Sequence, residues 1–205
     1  MRLDPLKGNF VIRPRRSRSP ELHPLLILAL LIAFLHAPGL PAQSDTPLPP
    51  GRPPEFGAEA GYGFSVHLNR GRSVEHFWLL EPWAGVRVSA RLQYVVEAHL
   101  ARHLTPRGYV VGLMPVGGRL YIGSGRALPY VSIGGGFGWT DLTSLEEIDR
   151  RFNFLLQASA GIRYNLSERS AWTFEARLAH ISNGGTARPN LGLNNLVFLG
   201  GFRFR

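Results

Sequence analysis

Two side chains with the makings of an acyl-transfer centre stand close together near the end of this sequence. They are His180 and Ser182, in the run Ala179-His180-Ile181-Ser182-Asn183-Gly184-Gly185. A serine hydroxyl is a weak nucleophile until a base takes its proton, and a histidine held against it supplies that base. A third group usually fixes the imidazole tautomer. Donors must also meet the oxyanion that forms on the attacked carbonyl. Asn183 offers a side-chain amide for this, and Gly184 and Gly185 offer backbone N–H groups. Spacing alone does not separate such a centre from a polar rim followed by a glycine-rich turn, since short motifs recur by chance.

The element that carries the pair narrows the reading. Residues 171–182 alternate, with Trp172, Phe174, Ala176 and Leu178 against Thr173, Glu175 and Arg177. Successive strand side chains point to opposite faces. Continuing the count puts His180 and Ser182 on the apolar side, with Cα atoms about 6.5 Å apart. That separation lets the hydroxyl reach an imidazole nitrogen.

The same period runs through the chain from Phe56 onward. It predicts eight strands, at about 56–68, 74–88, 91–100, 109–122, 127–139, 152–164, 171–181 and 194–204. Glu81-Pro82 and Met114-Pro115 predict bulges or breaks in the second and fourth. The Gly134-Gly135-Gly136 run lacks a phosphate-loop context and predicts close packing or a kink. Alternation alone fits a soluble sandwich as well as a membrane barrel. Three features favour the membrane: the strands suit a tilted crossing of roughly 9–11 residues, the polar faces could pair inside a narrow barrel, and aromatics cluster at strand ends. The polar residues concerned are Glu59, Arg87, Arg91, Glu97, Arg163, Glu175, Arg177 and Arg203. The terminal aromatics are Phe56, Trp78, Trp83, Tyr109, Trp139, Phe152, Tyr164, Trp172, Phe202 and Phe204. The expected fold is an all-β, eight-stranded antiparallel transmembrane barrel. Its connections are short after the even strands and include longer ones after the odd strands, notably 140–151 and 183–193.

The first 55 residues read as an address and a tether. Leu25–Leu35 is an unbroken apolar run, too short to span a bilayer as a helix. It follows an arginine-rich stretch and precedes Pro38-Gly39 and Pro41-Ala42-Gln43. That is the layout of a signal peptide covering 1–42, with a buried helix or a membrane anchor as the other readings. Residues 43–55, rich in proline, then form an extended periplasmic leader, and the barrel occupies 56–205.

The formal charge is +9, but six basic residues and two acidic ones lie within residues 1–23. Later arginines are scattered singly, so the basic footprint of a nucleic-acid-binding protein is missing. The chain has no cysteine, which excludes disulfides and thiolate metal sites. His67, His76, His99 and His103 are not at ligand spacing with carboxylates, so no metal and no cofactor is expected. Glu146, Glu147 and Asp149 read as a solvated outer loop.

The run His180-Ile181-Ser182-Asn183-Gly184-Gly185, with Arg188-Pro189-Asn190 and Gly192 after it, resembles the active-site segment of the outer-membrane lipid A 3-O-deacylases, an acyloxyacyl hydrolase family. The sharp likeness covers about 180–194, and the barrel-wide likeness 56–205. It implies His180 as general base, Ser182 as nucleophile, and Asn183, Gly184 and Gly185 as the oxyanion hole. It also implies lipid A of the outer leaflet as substrate. The best-known members of the family carry a glutamate at the start of the last strand to orient the histidine, and the matching position here is Asn194. By parity Asn194 shares the outer face, and an amide oxygen can also fix a tautomer. A homodimer is compatible with this reading. The rivals are a non-catalytic structural or adhesion barrel and a soluble exported barrel that binds a small lipid.

Overall fold

A computed structural model describes residues 53–66, 75–145, 147–148, 150–188 and 191–205. The expected signal peptide and most of the leader lie outside the described residues. Eight antiparallel strands follow one another: β1 (Glu55–Ser65), β2 (His76–Arg87), β3 (Leu92–Thr105), β4 (Arg107–Tyr121), β5 (Ala127–Thr140), β6 (Phe152–Asn165), β7 (Ser170–Ser182) and β8 (Leu193–Phe204). Each pairs with its neighbour and β8 pairs with β1, so the sheet closes and no strand edge is left bare.

Parity decides which face is which. The apolar set of every strand points outward: Ile133 is 71% exposed, Val116 67% and Phe174 62%. A continuous band of exposed large apolar side chains around a closed sheet is the signature of a lipid-facing wall. That removes the ambiguity between sandwich and membrane barrel. Aromatics form girdles at both ends of the band. Phe56 packs on Phe204 and Trp172 on Phe202 near the short turns, and Phe137, Trp139, Phe152 and Phe154 form a chain of ring contacts near the long loops. Trp83 departs from the expected girdle. Its odd parity on β2 turns it into the lumen, where Arg119 sits 5.1 Å over its ring.

The interior has two parts. Near the short turns and in the middle it is charged: Arg177 contacts Glu59, Glu81 and Glu175, and Arg119 contacts Glu59 and Glu97. Buried charges are retained in this way only when paired and hydrogen-bonded. Arg91 lies in the β2–β3 turn rather than on a strand face. Near the long loops apolar side chains fill much of the lumen instead. Phe77, Val110, Met114, Leu155, Ile181 and Val197 meet Leu142, Leu145 and Ile148 from the β5–β6 loop. This loop folds into the mouth as a plug. Glu147, expected in a solvated loop, is therefore buried at 3% exposure, while Glu146 and Asp149 lie outside the described residues.

Two strand boundaries differ from the pattern reading. β3 and β4 run on to Thr105 and Arg107, with Leu104 paired to Arg107, so a tight turn replaces the expected connection after strand three. Arg102 and His103 have the look of a loop in sequence, yet His103 points inward against Glu75 at 3.5 Å. Pro82 is accommodated without a break in β2, whose pairing to β1 is continuous. Pro115 does mark a bulge, because the register slips beside it towards both β3 and β5. Gly136 explains the glycine run: a Cβ there would overlap the β4 backbone at Leu113 beside that bulge.

Candidate active site on the lipid-facing wall

Outer-membrane barrels keep their short turns on the periplasmic side and their longer loops outside. β7 thus runs outward, and His180 lies two residues below its outer end. Cross-strand pairing sets its neighbours. Leu156 of β6 is opposite on one side and Asn194 of β8 on the other, while Ser182 is opposite Phe154.

The key contact joins the predicted base to its predicted partner. His180 Nδ1 and Asn194 Oδ1 are 2.9 Å apart. An amide oxygen accepts only, so the imidazole donates from Nδ1–H and Nε2 is left as the basic nitrogen. Gly192 lies against the far edge of the ring. It holds φ +64°, and a Cβ there would come within 2.5 Å of His180 Cε1. Glycine is required twice over, by the left-handed backbone and by the close imidazole. Sequence reading placed Gly192 in the motif without this role, because the approach depends on how the β7–β8 loop folds back.

Ser182 projects on the same face as His180, and both are half-buried. No hydrogen bond joins the two side chains in this arrangement. Such contacts often tighten only when substrate is bound.

The expected oxyanion donors divide. Asn183 is fully buried, and its side chain turns inward, where Nδ2 donates to the Ile148 carbonyl at 3.2 Å. Its Oδ1 accepts from Gly185 N–H at 2.9 Å. The Asn183 amide and the Gly185 N–H are thus engaged in holding the turn together rather than facing the outer surface. Asn183, the first residue past β7, continues the alternation of that strand and so turns inward. Gly184 remains beside Ser182, with φ +64° and packed over the Phe154 ring. The plug loop holds the segment from below a second time, through Gly192 N–H donating to the Glu147 carbonyl at 3.1 Å.

An apolar groove of about 820 Å³ begins at His180 and Asn194 and crosses the outside of the barrel to β4. Small residues Gly118, Gly135 and Ala158 form its floor, and Val116, Ile133, Leu156 and Leu178 its walls. The groove descends as it goes. Leu156 is four residues below the outer end of β6, Gly135 five below that of β5, and Val116 nine below that of β4. His180, Leu156, Gly135 and Val116 are successive cross-strand partners, so for strands about 4.8 Å apart and tilted by about 40° the groove drops by on the order of 10 Å. Sequence reading did not find the groove, since its residues come from five strands. Among the described residues no three His, Asp, Glu or Cys side chains converge as a metal-binding group.

Fold and site together define an outer-membrane barrel with a polar cluster of side chains, His180, Ser182 and Asn194, displayed on its lipid-facing surface. A family model for lipid A 3-O-deacylase (PagL) matches residues 57–203, and the chain belongs to that family. Among solved structures, the outer-membrane enzyme PagL is similar in fold, with a TM-score of 0.55 and 14% identity over 74% of this chain and 99% of that one. Neisserial surface protein A (NspA) matches with the same TM-score of 0.55 and 14% identity, over 74% of this chain and 96% of that one. Comparison with curated protein sequences finds no match.

Proposed function

We propose that this chain is an exported outer-membrane serine esterase that removes an ester-linked acyl chain from lipid A. One observation carries the reading: a His180–Asn194 hydrogen bond at the head of a descending apolar groove, with Ser182 on the same face. Family membership supports the substrate class. An acyl chain lies in the groove with its ester at the outer interface, so the lipid need not leave the bilayer.

His180 Nε2 takes the Ser182 hydroxyl proton as Oγ attacks the ester carbonyl. Asn194 holds Nδ1–H and with it the productive tautomer. Backbone N–H groups at the Asn183–Gly184 turn, Gly184 foremost, meet the oxyanion, because the Asn183 amide faces inward. Collapse expels the lipid alcohol, protonated by His180, and leaves an acyl-serine. Water, deprotonated by His180, then releases the fatty acid and restores Ser182. Residues 1–42 would deliver the chain through the inner membrane as a signal peptide.

Mass spectrometry of lipid A from cells expressing the protein tests this. Wild type should yield a species lighter by one acyl chain, and Ser182→Ala and His180→Ala should not. Identical lipid A from all three would leave a non-catalytic barrel as the correct reading.

A further inference from the structure

At the opposite end of the barrel from the candidate active site, one carboxylate faces too many guanidinium groups. Glu55 is 2% exposed. It lies 2.8 Å from Arg203, 3.2 Å from Arg163, 3.5 Å from Arg205 and 3.9 Å from Arg87. Its Oε2 also accepts from Gln93 Nε2 at 3.1 Å. A carboxylate has about four acceptor positions and a single charge. Glu55 is therefore saturated, and Arg163, Arg203 and Arg205 together carry more positive charge than it can offset. The acidic residues of the middle layer do not reach this cluster, because their contacts go to Arg119 and Arg177.

Beside the cluster is a cavity of about 570 Å³ at the short-turn rim, lined by Arg126, Arg163, Asn165, Ser167, Glu168 and Arg205. Arg126 has no carboxylate partner among the described residues, and it sits 5.9 Å over the Tyr164 ring. Glu168 is the one acidic side chain in the lining. The cavity straddles the rim. Arg163 belongs to the lumen, whereas Leu166, in the β6–β7 turn, is exposed.

The geometry points to a binding site for a phosphate-bearing anion at the periplasmic mouth. Guanidinium forks match phosphate oxygens in pairs. Arg126, Arg163 and Arg205 line one cavity with more room than a lone phosphate needs, Arg126 and Arg205 offering the forks and Arg163, whose Nε and Nη1 donate to Asn165 and Glu55, adding charge behind them. The phosphate can belong to a phospholipid headgroup of the periplasmic leaflet or to a soluble phosphate, and the chemistry of recognition is the same.

The test uses the full-length folded barrel and its thermal unfolding, read by heat-modifiable gel mobility. In one arm, inorganic phosphate is titrated in detergent against sodium chloride of equal ionic strength. In the other, the protein is placed in bilayers of phosphatidylcholine with or without phosphatidylglycerol. Wild type and Arg126→Gln/Arg205→Gln are compared, with Arg107→Gln/Arg150→Gln at the other end as the charge-matched control. The expected result is stabilisation in at least one arm, weakened at least tenfold in apparent affinity by the rim pair and retained by the control. A response in the detergent arm alone identifies a soluble phosphate, and a response in the bilayer arm alone a headgroup. No stabilisation in either arm, or equal responses from wild type and the rim variant, overturns the site.

Discussion

Replacing Asn194 by aspartate tests whether this residue acts on His180. The two amino acids have the same shape, so a carboxylate oxygen in Asn194→Asp would occupy the place of Asn194 Oδ1, 2.9 Å from Nδ1. The amide contributes a neutral hydrogen bond worth about 0.5–1.5 kcal/mol. A carboxylate makes a charge-assisted bond to the imidazolium that forms in the transition state, worth about 1.5–3 kcal/mol. The difference, about 1–1.5 kcal/mol, corresponds to roughly a five- to tenfold gain in kcat. Asn194→Ala loses the neutral bond and should lower kcat by a similar factor. The pH profile adds an independent reading. A carboxylate favours the protonated imidazole. The basic form is then populated only at higher pH, so the acidic limb of kcat/KM moves upward in the aspartate variant, by about one unit for 1.4 kcal/mol. The assay is release of fatty acid from purified lipid A in mixed micelles. If all three proteins fall within twofold of one another and share one acidic limb, Asn194 does not orient His180.

Three further outcomes are expected. Gly192→Ala forces a Cβ to within 2.5 Å of His180 Cε1 and strains a left-handed residue. It should cut fatty-acid release by more than tenfold while heat-modifiable mobility still reports a folded barrel. Gly118→Leu places a side chain where nothing lies within 4 Å. It should block the groove and raise KM severalfold while leaving unfolding unchanged. Glu75 is held up to about 8 from its ordinary 4.5, first by burial and then by repulsion from Glu147. The folded state therefore keeps a proton that the unfolded chain releases, so docking of the β5–β6 plug is strongest in acid and weakens as pH rises from about 4.5 through 8. Protease cleavage within 140–151 should accordingly increase from pH 6 to pH 9, and Glu75→Gln should flatten that rise.

What the sequence could show depended on whether the signal was local. Outward parity on β7 is a local property, and it placed His180 and Ser182 on one face and Asn194 on the same surface of β8. Strand count and closure followed from the same period. Trp83 was misplaced because an aromatic near a strand end suggests a girdle, whereas its odd parity and its Arg119 contact put it in the lumen. Asn183 illustrates the same conflict inside the motif. The catalytic pattern suggests an outward donor, but a residue one step from Ser182 on a strand must face the other way. The plug was not legible, because Leu142, Leu145 and Ile148 have no period of their own and gain their partners only when eight strands surround them. The groove was hidden for the same reason.

The division of the interior bears on how a site on the outside of a barrel can be held still. The lipid in front of His180 and Ser182 is fluid and fixes nothing. The support has to come through the wall, from behind. β7 supplies alternation, so each outward residue is flanked by one rooted in the lumen: Ile181 in the apolar plug and Asn183 against the Ile148 carbonyl. Gly192, which packs on the imidazole, is tied to the Glu147 carbonyl of the same loop. Below these, Arg177 fixes β7 to β1 and β2 through Glu59 and Glu81. The residues that face lipid are therefore positioned by those that never meet it. Ile148→Ala, which loosens the plug, should therefore lower fatty-acid release from lipid A without touching His180 or Ser182.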